Sequence, residues 1–185
     1  MKLLAIGKNP EKGIEARVHP TFIPNTHPLA SVNDAFNAVY LTGDAVDDVM
    51  LYGRGAGALP TASAVVSDVI YAATHSEIKY STFKNEADAE KSTKFVTDFA
   101  SAYYFRLSVN DEVGTLSQLC SIFAKYGVSI VEILQKSRSE DDVRENRVPV
   151  IFITHISSEK AVKKVVEKIG VSDCADVKAV IRVES

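Results

Sequence analysis

Cysteine is scarce in this 185-residue chain: there are two, Cys120 and Cys174, too few for the dense disulfide framework of a small secreted domain. Both are read as small core residues. Long apolar runs are also missing. The N-terminal stretch Met1–Lys8 is too short for a signal peptide or a membrane helix, so the expected location is the cytoplasm, with no membrane partner. Clustered basic residues are absent as well. With a net charge of −3 and no Lys/Arg stripe, the chain lacks the footprint of a phosphate-backbone binder, and nucleic acid is excluded as a partner. His19 and His27 each precede a proline in expected loops without carboxylates nearby, which makes neither a metal site nor an acid–base pair. No metal is expected. Lys2 and Lys8 flank a short strand and read as solvated charges.

What is present is an apolar fraction of 46%, ordinary for a packed protein of one large or two small domains. Strands are expected over Lys2–Ile6, Ile14–Val18, Ala38–Thr42 and Val49–Tyr52, spaced as in a sheet. Thr61–Thr74 follows as a helix, with Thr61 as N-cap and Ala62, Val65, Val66, Val69, Ile70 and Ala73 as a wide apolar stripe. The polar stretch 76–102, whose one apolar cluster is Phe95, Val96 and Phe99, reads as a connector with one helical turn.

After residue 101 the order is strand, helix, strand, strand, helix, strand. Phe105, Leu107 and Val109 alternate with Arg106 and Ser108, as in a strand with one buried face. Leu116, Leu119, Cys120 and Phe123 stripe a helix that Gly127 closes in a left-handed cap. Val148–Thr154 is a continuous apolar strand. Val162, Val165, Val166 and Ile169 stripe a second helix closed by Gly170, and Val177, Ala179, Ile181 and Val183 alternate in a last strand. Two split βαβ units make a ferredoxin-like sandwich. The charge run Ser139–Arg147 is a solvated hairpin loop and receives no site. The fold class is thus α+β: a partial mixed-sheet domain over 1–75, a connector over 76–102, and a βαββαβ sandwich over 103–185.

Two segments carry chemistry. In the turn Asn110–Leu116, Gly114 lets backbone N–H groups approach a ligand at a helix N-terminus suited to a carboxylate, while Asn110 and Asp111 offer contacts to an amino group. The same residues also suit an ordinary Asx-type turn. The second segment, Gly53-Arg54-Gly55-Ala56-Gly57-Ala58, fits a relaxed dinucleotide fingerprint between strand and helix. No parallel strand ending in an acid follows it, however, and Pro60 interrupts the usual phosphate-binding first turn. A turn that packs helix against sheet is the other reading.

Tyr104–Val183 resembles an ACT domain, the regulatory module that binds amino acids in metabolic enzymes, through Asn110-Asp111-Glu112-Val113-Gly114-Thr115-Leu116 and Ala124-Lys125-Tyr126-Gly127-Val128-Ser129-Ile130. Ser129-Ile130 stands where that family usually has Asn-Ile. The resemblance implies effector binding by Asn110, Asp111, Gly114, Thr115, Leu116, Ser129 and Ile130. The first half resembles the C-terminal part of homoserine dehydrogenase, through Arg17-Val18-His19-Pro20-Thr21-Phe22-Ile23-Pro24, His27-Pro28-Leu29-Ala30-Ser31-Val32-Asn33, Phe36-Asn37-Ala38-Val39 and the run Tyr52–Asp68. That resemblance makes 1–75 the end of a substrate domain and places Gly55, with Gly53 and Gly57 beside it, near the cofactor.

The nucleotide-binding domain, catalytic lysine and acidic substrate residues of that family lie upstream of the matched segment, so no catalytic residue is expected in this chain. Met1 is then expected to begin a cloned or truncated piece. The whole enzyme would transfer hydride between NADP(H) or NAD(H) and the aspartate-semialdehyde/homoserine pair, on the route to threonine and methionine. This chain alone is expected to hold no cofactor stably and to be inactive. The resemblance implies an amino-acid effector, threonine by pathway logic, and a homo-oligomer. An ACT-like module that serves only subunit assembly is the alternative. An independently acting enzyme is a third reading, opposed by the missing proton-transfer residues.

Overall fold

The computed structural model describes residues 1–8, 13–75 and 94–184. The chain forms two compact units, Met1–Ile23 with Lys94–Ser185, and Pro24–Thr93.

In the first unit, β1 (Lys2–Lys8) and β2 (Glu15–Phe22) form an antiparallel hairpin. The other elements, in chain order, are β5 (Ala100–Asn110), α2 (Thr115–Lys125), β6 (Ile130–Gln135), α3 (Glu140–Arg144), β7 (Arg147–Thr154), the two-residue β8 (Ser157–Ser158), α4 (Glu159–Gly170) and β9 (Ala175–Val183). The sheet order is β1-β2-β9-β5-β7-β6, with β8 beside β5. Its last four strands have the ferredoxin-like arrangement that the periodicity predicts. The first two extend that sheet: β2 runs parallel to β9 at Thr21–Arg182 and Phe22–Val183. The four strands expected early in the chain therefore belong to two different sheets. Pro20 lies inside β2 rather than ending it, opposite Leu3, where β2 has not yet met β9. A residue that donates nothing is tolerated there.

The core lies between this sheet and helices α2 and α4. Phe105 and Phe152 reach it from β5 and β7, and Phe123 from α2 packs edge-on to Phe105 at 5.0 Å and stacks on Phe152 at 5.1 Å. All three are fully buried, each contributing about 1.5–3 kcal/mol by leaving water. Of the expected α2 stripe, Leu119 and Phe123 are buried, Cys120 is intermediate, and Leu116 is 37% exposed.

Two helix ends differ in kind. Gly127 has φ +70°, and the Gly127 and Val128 N–H groups bond Ala124 O and Phe123 O at 3.0 Å each, the left-handed Schellman closure expected there. Gly170, expected to cap α4, lies within its last turn, and Val171 is the cap.

The alternation expected in β9 breaks at a bulge: Arg106 pairs Ala179 while Leu107 pairs Val177, leaving Lys178 extra. Val177 and then Val180 pack on the core, and Arg182 reaches α4. A single extra residue moves every later side chain to the other face.

In the second unit, β3 (Phe36–Gly43) and β4 (Asp47–Arg54) form an antiparallel hairpin, followed by α1 (Ala58–Thr74). The cap of α1 is Gly57 rather than Thr61. Thr61 donates the first intrahelical bond to Gly57 O at 3.1 Å, and Pro60 sits in the first turn, where its missing N–H leaves nothing unpaired. No described residue from Pro24 to His75 is buried. Much of the expected connector, residues 76–93, lies outside the described residues; Phe95, by contrast, bridges Ile14 in the first unit.

Candidate functional site

The turn between β5 and α2 opens onto a cavity of about 330 Å³ lined by Asn110, Glu112, Val113, Thr115, Gln118, Ser172, Asp173 and Cys174. Gly114 is the α2 N-cap, in the left-handed region at φ 94°, ψ −15°, and among the described residues no side chain caps the helix. A helix that begins on a glycine keeps its first-turn N–H groups clear of side-chain acceptors, and its dipole favours an anion there. A Cβ on Gly114 would meet nothing within 4 Å. The glycine is required by its φ, not by crowding.

Asn110 anchors the turn to the chain ahead of β9. Its N–H donates to Cys174 O at 2.9 Å, and its Nδ2 donates to Asp173 O at 2.9 Å. Asp111 does not line the cavity. Its N–H donates to Asn146 O at 3.0 Å, and its carboxylate faces Arg138 at 2.7 Å. The charge run read as a plain loop contains α3, with a capping box between Ser139 and Asp142, and it follows directly on the arginine that holds the turn.

Not all the expected effector residues come together. Asn110 and Thr115 line the cavity; Gly114, between the lining residues Val113 and Thr115, supplies the turn but no lining, and Leu116 follows on the first turn of α2. Ser129 and Ile130 lie at the far end of the sheet. Asn110 pairs with Arg147 and Ile130 with Thr154, opposite ends of β7 and so roughly 23 Å apart at about 3.3 Å per residue. Gln118, Ser172, Asp173 and Cys174 were not expected at the site. Gln118 lies one helical turn beyond Gly114 and was legible from spacing; the 172–174 segment joins α4 to β9, far along the chain from Asn110, and is brought beside it by the pairing of β5 with β9.

The glycine-rich segment sits in the second unit. Gly55 donates its N–H to Ala35 O at 3.1 Å, and a Cβ there would lie 1.8 Å from Asn37 Nδ2. Gly57 has φ 125°, while Gly53 has open space around it. Strand β4 is one arm of an antiparallel hairpin, so this is not the parallel βαβ turn of a dinucleotide fold.

Of the two histidines, His27 lies in a connecting segment as expected and His19 does not. His27 accepts from Leu29 N–H at 3.1 Å and caps a short 3₁₀ turn, Pro28–Ser31. His19 is not in a loop but in β2, and is buried. Among the described residues no group of three or more His, Cys, Asp or Glu is placed to hold a metal, and no helix is long and apolar enough to cross a membrane.

Residues 1–70 match the homoserine dehydrogenase family model, and residues 103–171 match the ACT domain model. The chain belongs to the homoserine dehydrogenase family. It is 36% identical to homoserine dehydrogenase of Neisseria gonorrhoeae, over all of this chain and 43% of that protein, and 35% identical to that of Bacillus subtilis, over all of this chain and 42% of that protein. The crystal structure of a homoserine dehydrogenase from Thiobacillus denitrificans superposes with a TM-score of 0.81 at 36% identity, covering 100% of this chain and 42% of that one. The chain thus spans less than half the length of these relatives and corresponds to a C-terminal part of homoserine dehydrogenase that includes an ACT domain.

Proposed function

We infer that this chain is the regulatory end of an enzyme that interconverts L-homoserine and L-aspartate 4-semialdehyde with NAD or NADP, and that its ACT domain senses an amino-acid end product, threonine. The observation that carries the reading is the open α2 N-terminus at Gly114 above a polar cavity. A bound amino acid presents its carboxylate to the first-turn N–H groups of α2 and its ammonium to the acceptors of Glu112 and Asp173, and Gln118 and Ser172 stand ready for a side-chain hydroxyl. The residue functions assigned to 1–75, to the connector 76–102 and to 103–185 follow from this reading.

The far placement of Ser129 and Ile130 makes a dimer part of the proposal. If these two residues share a ligand with Asn110 and Gly114, they do so across two copies, whose sheets present opposite ends to each other. Effector binding then changes the assembly, and activity follows to the extent that the ligand prefers one arrangement.

Cofactor contact at Gly53, Gly55 and Gly57 belongs to the same proposal. Gly55 already has a structural reason to be glycine, so its contact with a nucleotide needs its own test. The chain alone is expected not to oxidise homoserine.

Calorimetric titration of threonine, methionine and isoleucine into this chain tests the sensing role. Heat with threonine supports it; no heat with any of the three removes it. In that case a ligand-independent dimer in sedimentation favours a module that serves assembly only.

A further inference from the structure

Strand β2 is patterned inside out. Its inward positions are Glu15, Arg17, His19 and Thr21, all at least nine-tenths buried, while Val18 on the outward face is 68% exposed. Four consecutive inward positions are polar in a strand that joins an apolar-cored sheet.

The inward face is held by charge and by one aromatic ring. The Arg17 guanidinium lies 4.3 Å over Phe99, its Nε is 2.9 Å from Glu15 Oε1 but off the hydrogen-bond axis, and its Nη2 donates to Glu184. Lys8 of β1 meets the other Glu184 oxygen at 3.3 Å. Arg182 of β9 lies 5.4 Å from the same ring and makes two bonds to Glu159 of α4, whose carboxylate also accepts from Tyr103 of β5.

His19 stacks on Phe99 at 6.3 Å and 15°. Its Nδ1 lies 2.9 Å from Thr21 Oγ1 and 3.2 Å from Pro20 O, and the Thr21 hydroxyl itself donates to His19 O. This network assigns the ring proton to Nδ1. Nε2 is then a bare lone pair, buried and without a hydrogen-bond partner among the described residues.

We propose that this face of β2 is a proton-operated latch: with His19 neutral the β1–β2 hairpin stays seated on β9, and protonation of Nε2 releases it from the ACT sheet. The added proton creates a buried N–H without an acceptor and a third cation beside Arg17 and Arg182. Burial already disfavours the charged ring, Arg182 and Arg17 add to that, and the Pro20 carbonyl and Glu184 oppose it; the net effect holds the imidazole below its ordinary 6.5. Because the folded value is the lower one, the latch is at full strength above about pH 6.5 and weakens as pH falls below it. The hairpin comes from the dehydrogenase-matching segment, so the latch joins that segment to the ACT sheet whether or not the turn at Gly114 binds an amino acid.

Hydrogen exchange resolved along the 185-residue chain, corrected for intrinsic rates, tests this between pH 8 and pH 5. The expected result is that the opening constant of β1–β2 amides rises by up to about tenfold per pH unit below the onset, one proton being taken up, while amides of β5 and β7 hold. In His19→Gln the pH dependence of β1–β2 disappears. Equal pH dependence in β1–β2 and in β5 and β7, or an unchanged profile in His19→Gln, overturns the proposal. Should that variant fail to fold, the wild-type His19 ring, titrated by NMR, decides: a midpoint that coincides with the loss of β1–β2 protection supports the latch, and one that does not coincide overturns it.

Discussion

Arg138, just past β6, reaches the carboxylate of Asp111 at 2.7 Å, with the two side chains 35% and 40% exposed. The pair ties the β6–β7 connection to the turn that leads into α2. A half-exposed pair contributes little to global stability, roughly 0.2–1 kcal/mol, but it restrains one side of the proposed effector site. Arg138→Ala is therefore expected to lower the urea midpoint only slightly while weakening threonine binding severalfold. Denaturation and calorimetry on the same variant separate the two effects.

Glycines 127 and 170 give opposite predictions from similar sequence positions. Gly127 sits at φ +70° in the closure of α2, so Gly127→Ala costs about 1 kcal/mol. Gly170 lies in the last turn of α4, where an added methyl would meet nothing within 4 Å, and Gly170→Ala stabilises by about 0.5–1 kcal/mol. Urea midpoints of the two variants should move in opposite directions.

The buried Glu159 carboxylate predicts an acid limb in the stability profile. Burial works to raise its pKa, but hydrogen bonds from Tyr103 and Arg182 and the charges of Arg182 and Lys163 outweigh it, and the group sits below its usual 4.5. Its contribution is present above about pH 4.5 and is lost as pH falls through the folded value. Glu159→Gln breaks the two-bond contact with Arg182, which is 24% exposed, and is expected to cost about 2 kcal/mol after discounting for that exposure. Thermal melts at pH 7 and pH 4 should show wild type and variant drawing together in acid.

In the second unit, Gly55→Ala places a methyl 1.8 Å from Asn37 Nδ2. Asn37 is the residue that must move, so Gly55→Ala with Asn37→Ala restores a β3–β4 hairpin that Gly55→Ala alone disturbs, and Gly53→Ala leaves it unchanged. Backbone chemical shifts across β3 and β4 check the three variants.

The βαββαβ sandwich was legible because its signals are local: alternation in β5, helical stripes in α2 and α4, and Gly127 as a cap. The place of the β1–β2 hairpin was not. Thr21 meets Arg182 across most of the chain, and the inward face of β2 carries Glu15, Arg17, His19 and Thr21 in place of the apolar residues that mark a buried strand. His19 read as a loop residue for the same reason, because Pro20 signals a break wherever strand pairing is unknown. The glycine turn into α2 was visible in the sequence, but Asp173 and Cys174 come beside it only through the sheet, and the separation of Ser129 from Asn110 follows from strand register alone.

The central claim is that an amino acid binds at the α2 N-terminus, and Gly114→Val tests it most directly. The substitution strains a backbone at φ 94° and puts a branched side chain where the ligand carboxylate approaches. Threonine titrated calorimetrically into wild type and into this variant, with circular dichroism confirming that both are folded, is predicted to bind the first and lose at least tenfold in affinity for the second. Equal affinity in the two proteins would contradict the account.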